Sequence, residues 1–185
     1  EAEAEHIPIL RGSERDLLRQ AIEEEHPLRI LEIGTAVGFS TVLMASWAPY
    51  THIDTIEIDP ERHHKACRMI EETGLGGRIC CHLGDAAEII PQCRGSYDFL
   101  FLDGPKGQYL SHLHLAEPLL SATAAVAADN VLFRGLVRAK GFVPHRYRTL
   151  VMRLREYMDY VTVHYDTVIY EDGDGLALSR RREKA

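Results

Sequence analysis

The sequence predicts an α/β fold: a mostly parallel seven-stranded sheet with helices on both faces and an antiparallel last strand. Three observations carry this. Strand-like and helix-like segments alternate for most of the length. Several strand-like runs, such as "YDFLFLD", are almost continuously apolar, as buried parallel strands are. The final third instead holds two strand-like runs joined by the turn-forming "EDGDG". With 185 residues and 45% hydrophobic content, the chain can fill one core but not two ordinary ones, so a single domain over residues 1–185 is expected.

The elements follow in order. "SERDLLRQAIEEEH" reads as a helix, with Ser13 and Asp16 as a capping pair and Leu17, Leu18, Ala21 and Ile22 on one face. "RILEI" is a strand, "FSTVLMASWA" a helix and "HIDTIEI" a second strand. "PERHHKACRMIEETG" is a helix with Pro60 in its first turn, where the missing N–H costs nothing. "RICCHL" is a third strand, and "GDAAEIIP" a short helix closed by Pro91. "YDFLFLD" is then a buried strand, "GQYLSHLHLAEPLLS" a helix and "AAVAAD" another short strand. Finally "RYRTLVMRLREYMDY" is helical, and "VTVHYDTVIY" and "GLALSR" form an antiparallel pair.

Composition excludes several classes. No apolar run approaches the roughly 18 residues of a membrane span, so no membrane partner is expected. The acidic first residues do not resemble a secretory leader, and a cytoplasmic location is expected. Cys67, Cys80, Cys81 and Cys93 contain no C-x-x-C pair and read as reduced thiols, with Cys80 and Cys81 on opposite faces of their strand. The net charge of −7 is uneven: residues 1–130 carry 10 basic and 21 acidic side chains, giving −11, whereas 131–185 carry 11 and 7, giving +4. Such a chain is a poor general nucleic-acid binder, yet a local basic surface can attract a phosphate backbone.

The chemistry concentrates at strand ends, because ligands of doubly wound sheets bind beyond the carboxyl ends of the strands. "LEIGTAVGFST" is a glycine-containing turn opening a helix, but it lacks the third glycine of G-x-G-x-x-G, which disfavours a dinucleotide and a nicotinamide oxidoreductase. Glu32, inside the first strand, needs a partner that a ligand ammonium would provide. Glu57 ends the second strand, where a carboxylate accepts hydrogen bonds from ribose hydroxyls, and Asp85 and Ala86 follow the third, within reach of an adenine edge. A nucleoside with an amino-acid tail suits all three positions, and S-adenosylmethionine (SAM) is one. Asp103 and the pair Asp129–Asn130 end two strands expected to be neighbours. Two carboxylates and an amide are hard oxygen ligands for Mg²⁺, Mn²⁺ or Ca²⁺. Such a cation lowers the pKa of a substrate hydroxyl, and Lys106 beside it can take the proton or stabilise the oxyanion.

Taken together, "LEIGTAVGFST", "IEIDP", "GDA", "DGPKGQY", "ADNVLFRG" and the closing "GDGLALS" resemble the cation-dependent class I O-methyltransferases, a Rossmann-like group that includes catechol O-methyltransferase and the bacterial tRNA 5-hydroxyuridine methyltransferases. The resemblance implies metal ligation by Asp103, Asp129 and Asn130, and catalysis by Lys106 with Asp103. It implies SAM contacts from Gly34, Ser40, Glu57, Asp85, Ala86 and Asp103, with Leu10 of "HIPIL" near the methionine portion. "ADNVLFRG" and the arginine-containing helix after it look closest to the tRNA-modifying branch. The expected acceptor is therefore 5-hydroxyuridine in tRNA, with a catechol or other small phenol as the alternative and a homodimer as the expected assembly. The chain departs from the family in reading "LLSATAAVAADN" where a Pro-Gly-Gly turn usually precedes the metal-binding strand.

Blander readings stand beside these. Asp103 can be an ordinary capping residue and Lys106 an exposed loop lysine. His112 and His114, two apart on a helix, point to different sides and read as packing or exposed residues, as do His63 and His64. Arg134, Arg138, Lys140, Arg146 and Arg148 form either a phosphate-contacting rim or a solvated face. A SAM-binding module without catalysis is a further alternative.

Overall fold

A computed structural model describes residues 12–182. The helices are α1 (Gly12–Glu25), α2 (Phe39–Trp47), α3 (Pro60–Glu72), the single turn α4 (Ala86–Ile89), α5 (Tyr109–Ala116) and α6 (Arg148–His164). The strands are β1 (Arg29–Ile33), β2 (His52–Glu57), β3 (Ile79–Leu83), β4 (Tyr97–Leu102), β5 (Leu120–Ala128), β6 (Tyr165–Tyr170) and β7 (Leu176–Arg181). They form a seven-stranded sheet in the order β3-β2-β1-β4-β5-β7-β6. All pairings from β3 to β5 are parallel, and β7 runs antiparallel to both β5 and β6. The predicted mostly parallel sheet with an antiparallel last strand is the fold observed.

Alternation along the strands divides the core. Leu31, Ile33, Leu100, Leu102, Val126 and Ala128 face one side, under Leu113 of α5 and Leu154, Tyr157 and Val161 of α6. Ile30, Phe99, Phe101, Ala125 and Ala127 face the other, under Leu18 and Ile22 of α1, Met44 of α2 and Ile70 of α3. Each such large side chain, fully buried, contributes about 1.5–3 kcal/mol. The central strands therefore read as continuous apolar runs because both faces are covered.

Three boundaries differ from the sequence expectation. The helix expected over 107–121 is interrupted: a 3-10 turn spans Lys106–Gln108, and α5 stops at Ala116. Pro118 two residues on lacks an N–H and sits in the 3-10 turn Glu117–Leu119. β5 starts at Leu120, earlier than expected, and carries a bulge: Tyr97 pairs with Leu120 but Phe99 with Ala125. The segment that replaces the family's usual turn is thus absorbed as strand, and Arg181 holds its start by donating to the carbonyls of Glu117, Leu120 and Ser121. Lastly, residues 161–164 extend α6 and do not begin a strand. Val151, Leu154, Tyr157, Met158 and Val161 share its buried face, and that packing overrides the strand preference of "VTV".

Candidate active site

A cavity of about 440 Å³ opens at the carboxyl ends of β1, β2 and β4, lined by Gly34, Ala36, Glu57, Asp85, Ala86, Asp103, Lys106 and Asn130 among others. Its floor is the turn after β1. Gly34 has φ +103°, and a Cβ there would come within 2.7 Å of the backbone of Asp103 and Gly104. Only glycine lets the ends of β1 and β4 approach this closely. Asp103 N–H continues the pairing by donating to the Ile33 carbonyl at 2.9 Å.

Glu57 borders the cavity, and both its oxygens accept backbone N–H groups: Oε2 from Ala36 at 2.8 Å and Oε1 from Asp59 at 2.9 Å. These bonds hold the carboxylate in place and leave lone pairs for ligand hydroxyls. Asp85 caps α4, accepting from Ala87 N–H at 2.8 Å. Glu32 behaves differently from the expectation. It is fully buried behind the turn, and its carboxyl group receives Ser40 Oγ at 2.5 Å, Thr55 Oγ1 at 2.7 Å and Thr41 Oγ1. Thr35 in turn donates to Thr55 at 2.6 Å. Burial pushes this carboxyl up to about 7 against the opposing effect of the hydroxyls. The partner of Glu32 is thus a set of hydroxyls and not a cavity-facing ammonium, because its side chain points beneath α2. Ser40 likewise spends its hydroxyl on Glu32.

The other end of the cavity gathers charge. Lys106 Nζ donates to Asp103 Oδ1 at 2.9 Å and lies 5.5 Å from the centre of the Tyr109 ring. Asp129, on the strand beside, is 3% exposed and is fixed by its N–H on the Leu102 carbonyl at 3.0 Å. Its Oδ1 accepts Asn130 N–H at 2.8 Å, with Asn130 in the left-handed region at φ 54°. Burial, then the charge of Asp103, push the Asp129 carboxyl up to about 7; burial also raises Asp103, with Lys106 opposing. The structure therefore brings Asp103, Lys106, Asp129 and Asn130 together. Two crowded carboxylates beside one lysine, with an amide in reach, have the donor chemistry of a hard divalent cation site.

Sequence reasoning missed three residues here. Glu14 of α1 is 3% exposed, accepts Asp174 N–H at 3.0 Å, and adds a third negative charge that raises both aspartates. Tyr109 donates to the Asp129 carbonyl at 2.9 Å from a fully buried position. His112 lines the cavity at 2% exposure, and its Nδ1 has no hydrogen-bond partner among the described residues. Burial lowers its pKa, so a neutral imidazole faces the cavity. As expected, His114 points elsewhere, packing edge-on against Tyr160 at 4.7 Å. Only the helical spacing of His112 signalled its side; nothing local marked Glu14 or Tyr109. The Leu10 assignment lies outside the described residues.

Comparison with known proteins supplies the context. The sequence profile of a family described as O-methyltransferase matches residues 10–182. Catechol O-methyltransferase of Bos taurus is 30% identical over 184 residues, which is 94% of this chain and 66% of that protein. Catechol O-methyltransferase of Niastella koreensis is 32% identical over 132 residues, 69% of this chain and 58% of that protein. The chain thus spans less than two thirds of the length of either. A Staphylococcus aureus structure, designated a candidate caffeoyl-CoA O-methyltransferase, superposes with a TM-score of 0.90 at 29% identity, covering 98% of this chain and 88% of that one.

Proposed function

Because this chain belongs to the O-methyltransferase family, we propose that it transfers the methyl group of SAM to a hydroxyl of a small phenolic acceptor, with a divalent cation at Asp103, Asp129 and Asn130. One observation carries the reading: a single cavity joins one end holding the backbone-anchored Glu57 and the Asp85–Ala86 turn, with the donor and acceptor groups a nucleoside needs, to an acidic end bearing Lys106.

In this reading Glu57 receives the ribose hydroxyls, Asp85, Ala86 and His112 surround the base, and Gly34 and Asp103 border the methionine portion. A Mg²⁺ or Mn²⁺ ion held by the oxygen ligands supplies Lewis-acid chemistry that lowers the pKa of the acceptor hydroxyl. Lys106, having released its own proton to solvent, accepts the hydroxyl proton, and the ammonium so restored pairs with Asp103 as it does in the structure. The acceptor oxygen then forms a bond to the methyl carbon as the carbon–sulfur bond breaks, leaving a neutral thioether. Holding the reactants aligned can account for roughly 7–11 kcal/mol of the barrier. Tyr109 and Glu14 touch neither reactant in this scheme; they hold Asp129 and the Asp174 loop.

The tRNA acceptor expected from the sequence finds no support among these relatives, two of which are named for catechol. Two of the basic residues behind that expectation are also engaged within the chain, Arg138 with Glu171 and Arg148 with the Val143 carbonyl. The test is incubation with methyl-labelled SAM and Mg²⁺, offering a catechol and phenol panel and, separately, hypomodified tRNA. Label in a phenol, lost on adding a chelator, is expected. Label only in tRNA, or undiminished by the chelator, overturns the reading.

A further inference from the structure

Away from the carboxylate end, His63 and Cys67 lie one turn apart on α3 and face Cys81 on β3, and we propose that these three form a second cation site, selective for a thiophilic ion such as Zn²⁺. The ligand atoms of the three all lie within 4.8 Å of one another. Cys67 Sγ lies 3.8 Å from His63 Nδ1 and 3.7 Å from His63 Nε2. A tetrahedral zinc with bonds of about 2.3 Å to sulfur and 2.0–2.1 Å to nitrogen holds N and S about 3.6 Å apart and two S atoms about 3.8 Å apart. The cluster therefore has nearly the spacing of a zinc-bound one, and about 1 Å of side-chain movement at most closes it.

The histidine is also prepared for ligation. Its Nε2 lies 3.2 Å from the Cys81 carbonyl oxygen. An N–H donated there leaves the lone pair on Nδ1, the nitrogen available to an ion, and a histidine ligand commonly has its other N–H fixed on a carbonyl in this way. All three residues are partly buried and both thiols are free, so a water would complete the tetrahedron. Capture of the ion releases one proton from each thiol to solvent as the two metal–sulfur bonds form, with no change of oxidation state.

Placement and contrast both favour this cluster. Cys81 lies across the sheet from Thr55 and Glu32 in register and neighbours Thr35, so the ion would tie α3 to β3 behind the turn that floors the cavity. The neighbouring trio Asp54, Cys80 and His82 is equally compact. There, however, the Asp54 carboxylate already takes Arg29 at 3.0 Å, Tyr97 at 2.8 Å and His82 at 2.9 Å, and Cys80 is exposed. That trio is a closed ion-pair network, whereas the thiols of the first have only weak contacts to exchange for a metal.

The two ion sites can be told apart with Co²⁺, whose absorption is intense in tetrahedral sulfur sites and weak in octahedral oxygen sites. Reduced protein in excess Mg²⁺ is titrated with Co²⁺. One equivalent should produce strong visible bands and a near-ultraviolet sulfur-to-cobalt charge-transfer band, and Zn²⁺ should bleach both. Cys67→Ser and Cys81→Ser should abolish the charge-transfer band, and Cys80→Ser should retain it. Only weak octahedral bands in the reduced wild-type protein, or a charge-transfer band that survives loss of both Cys67 and Cys81, would overturn the site.

Discussion

Replacing Asp129 by asparagine should stabilise the metal-free protein at neutral pH while removing its response to Mg²⁺. The carboxyl is pushed from 3.8 to about 7 by burial and by Asp103. That is about three pH units, and at roughly 1.4 kcal/mol per unit the charged form costs up to about 4 kcal/mol. The sign follows from proton counting: between the two values the folded state binds more protons than the unfolded one, so this group lowers stability as pH rises from about 4 to about 7. Asparagine keeps the oxygen that accepts Asn130 N–H at 2.8 Å and carries no charge. Denaturant unfolding with a chelator present should therefore show equal stabilities near pH 4 and an advantage for Asp129→Asn that grows toward neutrality. Mg²⁺ at a hundredfold its Kd should close most of that gap, since it adds about 2.7 kcal/mol to the wild-type protein and nothing to the variant. Equal stability at neutral pH without metal, or equal stabilisation of both proteins by Mg²⁺, would refute the reasoning.

Further outcomes are expected in the same protein. Lys106→Met should lower turnover by about 10²–10⁴-fold, the usual worth of a positioned proton acceptor, while SAM affinity measured by calorimetry changes little. Glu57→Gln should weaken SAM binding, because its NH₂ must meet the Ala36 or Asp59 N–H; an unpaired buried donor costs about 1–3 kcal/mol. Tyr109→Phe should cost a similar 1–3 kcal/mol of stability, read by denaturant unfolding, through loss of its bond to the Asp129 carbonyl. Gly34→Ala should abolish SAM binding and destabilise the fold, since both the φ of +103° and the 2.7 Å approach to Asp103 exclude a side chain. Retained affinity in that variant would mean the strand ends do not need their present spacing.

Much of the architecture was legible because two local signals agreed. Apolar runs such as "YDFLFL" announce strands covered on both faces, and glycine, proline and aspartate at their ends mark the turns. The boundaries that failed were those where packing outweighed local preference, as at Val161, whose β-branched neighbours suggested a strand although its buried face continues α6. Glu32 shows the same limit at the site: burial demanded a partner, but only the folded chain reveals that Ser40, Thr41 and Thr55 fill that role.

By itself the sequence determined the order of strands and helices and which acidic residues end strands, since these depend on residue types a few positions apart. The meeting of Asp103 and Asp129 followed the expected strand neighbours through the β4–β5 pairing, but the tertiary structure decided the rest: Glu14 brought to them from the first helix, His112 turned into the cavity, and Cys81 set opposite His63 and Cys67. Residues far apart in the chain meet only through strand order, register and helix packing, and no local pattern encodes that distance.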